Sequence, residues 1–149
     1  MRIFGEKVEG KQYVHRPAVY GVMFNEKKEI GIIECGGKYF LPGGGLEGQE
    51  THEECLKREN IEEIGLESEI GAFIGRAQRY FVSTLDHIYY LSDGYFYFCE
   101  PGARSYDPLE DDHTLVWMGP TEAINCLFHE HQSWAVQEAV KLLSTPVKG

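Results

Sequence analysis

Positive charge is scarce in this sequence: 14 Lys and Arg stand against 24 Asp and Glu, for a formal net charge of -10 at pH 7. Binding along a phosphate backbone takes a surplus of basic side chains to displace counterions, so a nucleic acid polymer is not an expected partner. Long apolar runs are also missing. No stretch approaches the roughly 18 residues that a membrane-spanning helix needs, and the first 25 residues lack the apolar centre of a signal peptide. No membrane association and a cytoplasmic location are therefore expected. The four cysteines, Cys35, Cys55, Cys99 and Cys126, form no close pair of the kind that builds a zinc knuckle or a redox site. They read as reduced and mostly buried. Pro-, Ser- or Gln-rich tracts, long charge blocks and internal repeats are absent as well.

What remains is a chain of 149 residues, 42% hydrophobic and rich in aromatics, which fits one folded domain spanning residues 1–149. PAVYGVMFN at 17–25 and EIGIIE at 29–34 are β-prone runs around a polar turn and predict a hairpin. The segment 36–49 holds six glycines and one proline in 14 positions, which predicts loops around a short KYFL strand. Thr51 and Glu54 fit a capping box and Gly65 a helix stop, so a helix is expected over about 51–64. AFIGRAQRYFV, HIYYL and YFYFCE read as strands separated by STLD and SDG, HTLVWM as another, and PTEAINCLF and HQSWAVQEAVKLLS as helices. The order predicts an α/β protein of mixed strands flanked by helices.

One stretch of the expected helix is electrostatically unfavourable. RENIEEIG at 58–65 places Glu59, Glu62 and Glu63 on one helical face, near a C-terminus whose dipole also disfavours anions. Like charges at this spacing cost a few tenths of a kcal/mol each, at about the scale of surface ion pairs. A hard divalent cation such as Mg²⁺ or Mn²⁺ removes that repulsion and leaves coordination positions for phosphate oxygens. The glycines at 43–45 can bring backbone close to the same cation and phosphates. An ordinary solvated acidic face is the bland alternative.

Residues 44–66 then resemble the box of the Nudix hydrolase family: Gly44, five residues, Glu50, seven residues, Arg58-Glu59, Glu62-Glu63, Gly65 and Leu66, eight of the nine defining positions. Asn60 departs from the pattern, which has a bulky aliphatic residue there. The resemblance implies an α/β/α sandwich around a mixed β-sheet and hydrolysis of a nucleoside diphosphate linked to another group, with Mg²⁺ or Mn²⁺ as cofactor. It implies that Glu59, Glu62, Glu63 and the Gly43 carbonyl hold metal, that Glu59 is a candidate base, and that Arg58 and Glu50 orient helix and loop. A further acidic ligand from a later loop points to Asp111 in the EDD run at 110–112, with a solvated turn as the alternative. The family's base-binding positions suggest Arg16, Tyr20, Phe40, Arg79, Tyr80 and Phe81, of which Arg16 and Tyr80, with Gly44, are the chosen substrate-binding candidates; plain sheet packing is the alternative for the aromatics. His113 is given no role, and His129 and His131 read as surface or capping groups.

Residues 67–100 contain neither the proline of ADP-ribose pyrophosphatases nor the SQPWPF-like array of NADH pyrophosphatases. A nucleoside triphosphate, oxidised nucleotides included, cleaved to monophosphate and pyrophosphate is the expected substrate. The alternatives are a nucleotide sugar or dinucleoside polyphosphate and, in another class, a non-catalytic nucleotide-binding regulatory domain. A homodimer is a weak expectation of the resemblance.

Overall fold

The helix expected from Thr51 onward forms in a computed structural model that describes residues 1–104, 107 and 112–144. Its elements are β1 (Arg2–Phe4), β2 (Val14–Met23), β3 (Ile30–Cys35), β4 (Lys38–Phe40), β5 (Gly43–Gly45), α1 (His52–Ile64), β6 (Leu66–Val82), β7 (Tyr89–Arg104), β8 (Thr114–Met118), α2 (Pro120–Cys126) and α3 (Glu130–Ser144). The start of α1 is set locally. Thr51 accepts the Glu54 amide while the Glu54 carboxylate accepts the Thr51 amide, and Gly65 ends the helix in the left-handed conformation at φ 68°.

Five strands make a mixed sheet in the order β1-β6-β7-β2-β5, and three make a second, antiparallel sheet in the order β4-β3-β8. Alternation along the strands sorts side chains between two layers. Val19, Tyr95 and Tyr97 face α1, where Cys55 and Leu56 are buried against them. Tyr20, Val22, Ala77 and Phe96 belong to the larger core that takes in Ala135, Val136 and Ala139 of α3 and Ile30 and Ile32 of the small sheet. Leu56 alone, fully buried, contributes about 2 kcal/mol of apolar burial. The result is an α/β/α sandwich around a mixed sheet.

Three expectations need correction. The turn at Asn25 does form, with its side-chain carbonyl accepting the amides of Lys27 and Glu29. Beyond the Phe24–Ile30 bridge, however, β2 and β3 part into different sheets. Both edges of β2 are occupied, by β7 in parallel and by β5 antiparallel, so the expected hairpin has no free edge to pair on. The glycines at 43–45, expected as loop, supply that β5 edge.

SDG at 92–94 is likewise no turn but the interior of β7, so HIYYL and YFYFCE join in one long strand. Asp93 is buried, held by both Arg76 nitrogens at 2.7–2.8 Å and by His15 at 2.7 Å. Gly94 leaves room for the Phe96 ring, which a Cβ would meet at 2.6 Å. Turn-forming residue types are used here for buried charge and for clearance. STLD, by contrast, does turn the chain, closed by the Ser83 amide on the Ile88 carbonyl.

Asn60, the residue that departs from the box pattern, is fully buried. Its amide donates to Ser68 Oγ at 2.8 Å and to Cys99 Sγ at 3.5 Å, so a small polar pocket in α1, β6 and β7 replaces aliphatic packing. No described helix is long and apolar enough to cross a membrane. Cys55 and Cys99 are buried, whereas Cys126 is exposed and Cys35 half-buried, so burial is only half of the cysteine pattern.

Candidate active site

Gly43 begins β5 with φ 140°, a conformation open to glycine, and a side chain there would run into the Val19 carbonyl. That geometry turns the Gly43 amide toward α1, where it donates to Glu63 Oε1 at 2.8 Å. Gly44 lies directly above Glu59, whose carboxylate carbon would be 2.7 Å from an added Cβ. Strand β5 and the last two turns of α1 are thus pressed together through two glycines and two glutamates. Cys55 supports the same strand from below, its thiol donating to the carbonyls of Gly44 and Gly45 at 3.5 Å. Burial, and then the Glu50 charge, push that thiol up to about 11, so it stays protonated and serves as a donor.

Arg58 organises the acidic face. Its Nε and Nη2 grip Glu50 at 2.6 and 3.0 Å, Nη2 also reaches the Gly45 carbonyl at 3.0 Å, and Nη1 lies 3.0 Å from both Glu59 and Glu62. The Arg58 hydrogen bonds, with the Glu47 amide next, hold the Glu50 carboxyl below its usual range. Bonding to Glu50 raises the Arg58 guanidinium further. The three box glutamates differ in access: the side chains of Glu63, Glu59 and Glu62 are 8%, 13% and 31% exposed. Glu63 is therefore the innermost of the three carboxylates and Glu62 the outermost. Glu59 and Glu62 converge on one point, and the cation standing there is the Arg58 Nη1.

On the α3 face of the sheet, the layer opposite α1, lies a shelf of rings. Phe81 stacks on Tyr90 at 5.7 Å and meets His129 edge-on at 5.0 Å, and Phe40 and Phe128 pack against His129 at 5.8 and 4.9 Å. Arg16 lies 4.8 Å over the Tyr90 ring. Arg79 donates to His129 Nδ1 at 3.0 Å, which leaves the imidazole proton on Nε2. Tyr20 joins shelf and acidic wall: burial, then the Glu63 charge, push its phenol up to about 12, and Gln132 hydrogen-bonds it.

The box residues Glu50, Arg58, Glu59, Glu62 and Glu63 and the glycines Gly43 and Gly44 come together as described. Arg16, Phe40, Arg79 and Phe81 share the shelf. Tyr80 does not; it faces the opposite side of the sheet and packs against Tyr13 at 4.9 Å. Asp111 and Glu110 lie outside the described residues. Asp112 is exposed.

Sequence reasoning missed three features. His113, given no role, places Nδ1 3.3 Å from Glu63 Oε2. His129 and His131 are not surface groups: burial, then neighbouring positive charge, lowers them to about 3 and about 4, and His131 is fully enclosed. Gln132 accepts the Leu41 amide at 2.7 Å and so ties α3 to the strand before β5. The only sequence signal for these was the ring pair Phe128-His129 directly ahead of a helix; the His113 contact spans 50 residues and depends on strand register.

The geometry agrees with comparisons to known proteins. The family model of the NUDIX domain matches residues 14–139. No curated protein matches the chain. Among solved structures, a NUDIX hydrolase from Nitrosomonas europaea is 16% identical with TM-score 0.67, covering 90% of this chain and 94% of its own. A MutT protein from Methanosarcina mazei Go1 is 20% identical with TM-score 0.64, covering 93% and 100%. An ADP-ribose pyrophosphatase from Streptococcus suis 89-1591 is 15% identical with TM-score 0.60, covering 85% and 92%. With the family model spanning most of the chain and the box residues gathered on β5, α1 and the turn between them, the chain belongs to the Nudix family and is a Nudix-type hydrolase.

Proposed function

We propose that this protein hydrolyses a pyrophosphate bond in a nucleoside diphosphate linked to another group, with a nucleoside triphosphate, cleaved to monophosphate and pyrophosphate, as the preferred substrate. The observation that carries the reading is the convergence of Glu59 and Glu62 on a single cationic atom, with Glu63 fixed behind them by the Gly43 amide. Nudix enzymes generally need divalent cations, and this donor set consists of hard oxygens, which suits Mg²⁺ or Mn²⁺. Glu59, Glu62, Glu63 and the Gly43 carbonyl would hold the ion, and when bound it screens phosphate charge and lowers the pKa of bound water.

The chain's own residues do the rest. Water adds to one phosphorus of the anhydride, the bridging P–O bond breaks, and the departing phosphate takes the electron pair. Glu59, packed beneath Gly44, is the proposed base that takes the proton from that water. Arg58 keeps Glu59, Glu62 and Glu50 in register, so the carboxylates need not reorganise during the reaction. The shelf supports recognition of a base: Phe40 and Phe81 offer rings, with Tyr90 buried behind Phe81, Arg16 and Arg79 offer charge for phosphate, and neutral His129 offers an N–H donor. Retention of all three box glutamates favours catalysis over a purely regulatory domain.

The test incubates the protein and its Glu62→Gln variant with Mg²⁺ or Mn²⁺ and a panel of nucleoside triphosphates, nucleotide sugars including ADP-ribose, and dinucleoside polyphosphates. Metal-dependent release of pyrophosphate from a triphosphate, reduced at least 100-fold in Glu62→Gln, is expected, in line with the cost of losing a charge-stabilising group. Preference for a nucleotide sugar would replace the substrate, and no metal-dependent cleavage of any compound would refute the hydrolase reading.

A further inference from the structure

Strands β3 and β8 pair antiparallel, and their last registered rung joins Glu34 to Thr114. The next positions outward are Cys35 and His113, so backbone register brings a thiol and an imidazole to the same end of the small sheet. Asp112 completes the group: its carboxylate is 3.7 Å from Cys35 Sγ and 4.0 Å from His113 Nε2. One donor atom from each of the three residues lies within 4.8 Å of the other two. We propose that Cys35, Asp112 and His113 form a second cation site, selective for a thiophilic divalent ion of the Zn²⁺ type and separate from the carboxylates of α1.

The donor types decide the ion. A thiolate, an imidazole and a carboxylate suit zinc, whereas Mg²⁺ and Mn²⁺ favour all-oxygen sets. Tetrahedral zinc holds such ligands roughly 3.5 Å apart, so donor atoms that now lie within 4.8 Å of one another need to close by up to about 1.3 Å. The exposed Asp112 has the freedom to swing inward, and binding displaces the Cys35 thiol proton to solvent.

The histidine has a carboxylate close to its second ring nitrogen. Metal-binding imidazoles usually donate their second N–H to a carboxylate, which sets the tautomer and the ring orientation. His113 Nδ1 makes an ion-pair contact with Glu63 Oε2 at 3.3 Å, short of hydrogen-bond alignment, and Nε2 is 4.0 Å from Asp112; a small turn of the ring on metal binding would bring Nδ1–H onto Glu63. Glu63 also accepts the Gly43 amide, so it joins the thiophilic site to the catalytic cleft. A cation bound at Cys35 therefore acts on the carboxylate that anchors the hydrolytic site. The binding part of this inference stands without the hydrolase reading; only the coupling rests on it.

Co²⁺ serves as the probe, because a bound thiolate gives a cobalt charge-transfer band in the near ultraviolet. In the presence of excess Mg²⁺, the wild-type protein should show this band saturating at one equivalent of Co²⁺ and bleached by Zn²⁺. Cys35→Ser should abolish it, and His113→Ala should weaken Co²⁺ binding at least tenfold. Cys126→Ser should retain it, which excludes the other accessible thiol. Glu62→Gln should lose hydrolysis yet keep the band, so failure of the activity and failure of the site are told apart. Absence of the band in the wild type, or its persistence in Cys35→Ser, would overturn the proposal.

Discussion

Arg58 holds three carboxylates and the Gly45 carbonyl at 3.0 Å or closer, and its shape matters as much as its charge. One edge of the guanidinium takes Glu50 through two nitrogens, and the remaining nitrogen lies between Glu59 and Glu62. A lysine keeps the charge but cannot hold a bidentate carboxylate and two further carboxylates in a fixed plane. Arg58→Lys should therefore lower hydrolysis by roughly 10–100-fold, the usual loss when a group orienting metal ligands is removed. It should also reduce unfolding free energy by about 1–2 kcal/mol, since the guanidinium is largely shielded. Steady-state rates and urea unfolding test both, and wild-type rates in Arg58→Lys would show that neutralisation alone suffices. Burial divides the box glutamates in a way their spacing does not reveal. Glu63, almost covered, is the one that reaches both β5 and His113.

At the scale of elements, β5 joins sheet and site, and its glycines separate folding from catalysis. Gly43 needs its φ of 140° and abuts the Val19 carbonyl, so Gly43→Ala strains the backbone by about 3 kcal/mol and should lower thermal stability markedly. Gly44 has no such φ, and its neighbour is the Glu59 carboxylate. Gly44→Ala should leave the melting temperature nearly unchanged while reducing activity at least tenfold by displacing Glu59, a positional sensitivity typical of preorganised sites. Calorimetric melts beside activity assays distinguish the pair; equal loss of stability in both variants would contradict this division. The same element shows which parts of the fold were legible. Helix α1 was readable because its cap, its stop and its glutamate spacing all lie within 15 residues, Thr51 to Gly65. The fate of β2 was not, since the partners that exclude β3 are Gly43–Gly45 and a strand about 75 residues downstream. SDG misled for a related reason: Arg76 and His15 satisfy Asp93 from other strands, and no local rule anticipates them.

The whole molecule carries its pH response in the core beneath α3. His131 is enclosed by Tyr20, Phe96 and His129, and burial lowers it to about 4, while His129 is lowered to about 3. Both stay neutral in the folded protein at pH values where an unfolded histidine, titrating near 6.5, takes up a proton. The unfolded state then binds more protons, so stability is fully present above about 6.5 and falls as pH drops toward the folded values. Each group contributes a slope of up to about 1.4 kcal/mol per pH unit in that window. Asp93 acts lower down: burial raises it, but Arg76, His15 and Gln78 outweigh that and bring it below 3.8, so its contribution is lost only as pH falls further. Between pH 6.5 and 5 the two histidines thus dominate among the shifted groups. Urea unfolding at half-unit steps should show a steep loss of stability across this range, and His131→Gln should remove about half of the slope. An unchanged slope in that variant would mean that protonation of the unfolded chain at residue 131 is matched in the folded core, against the enclosure described for it.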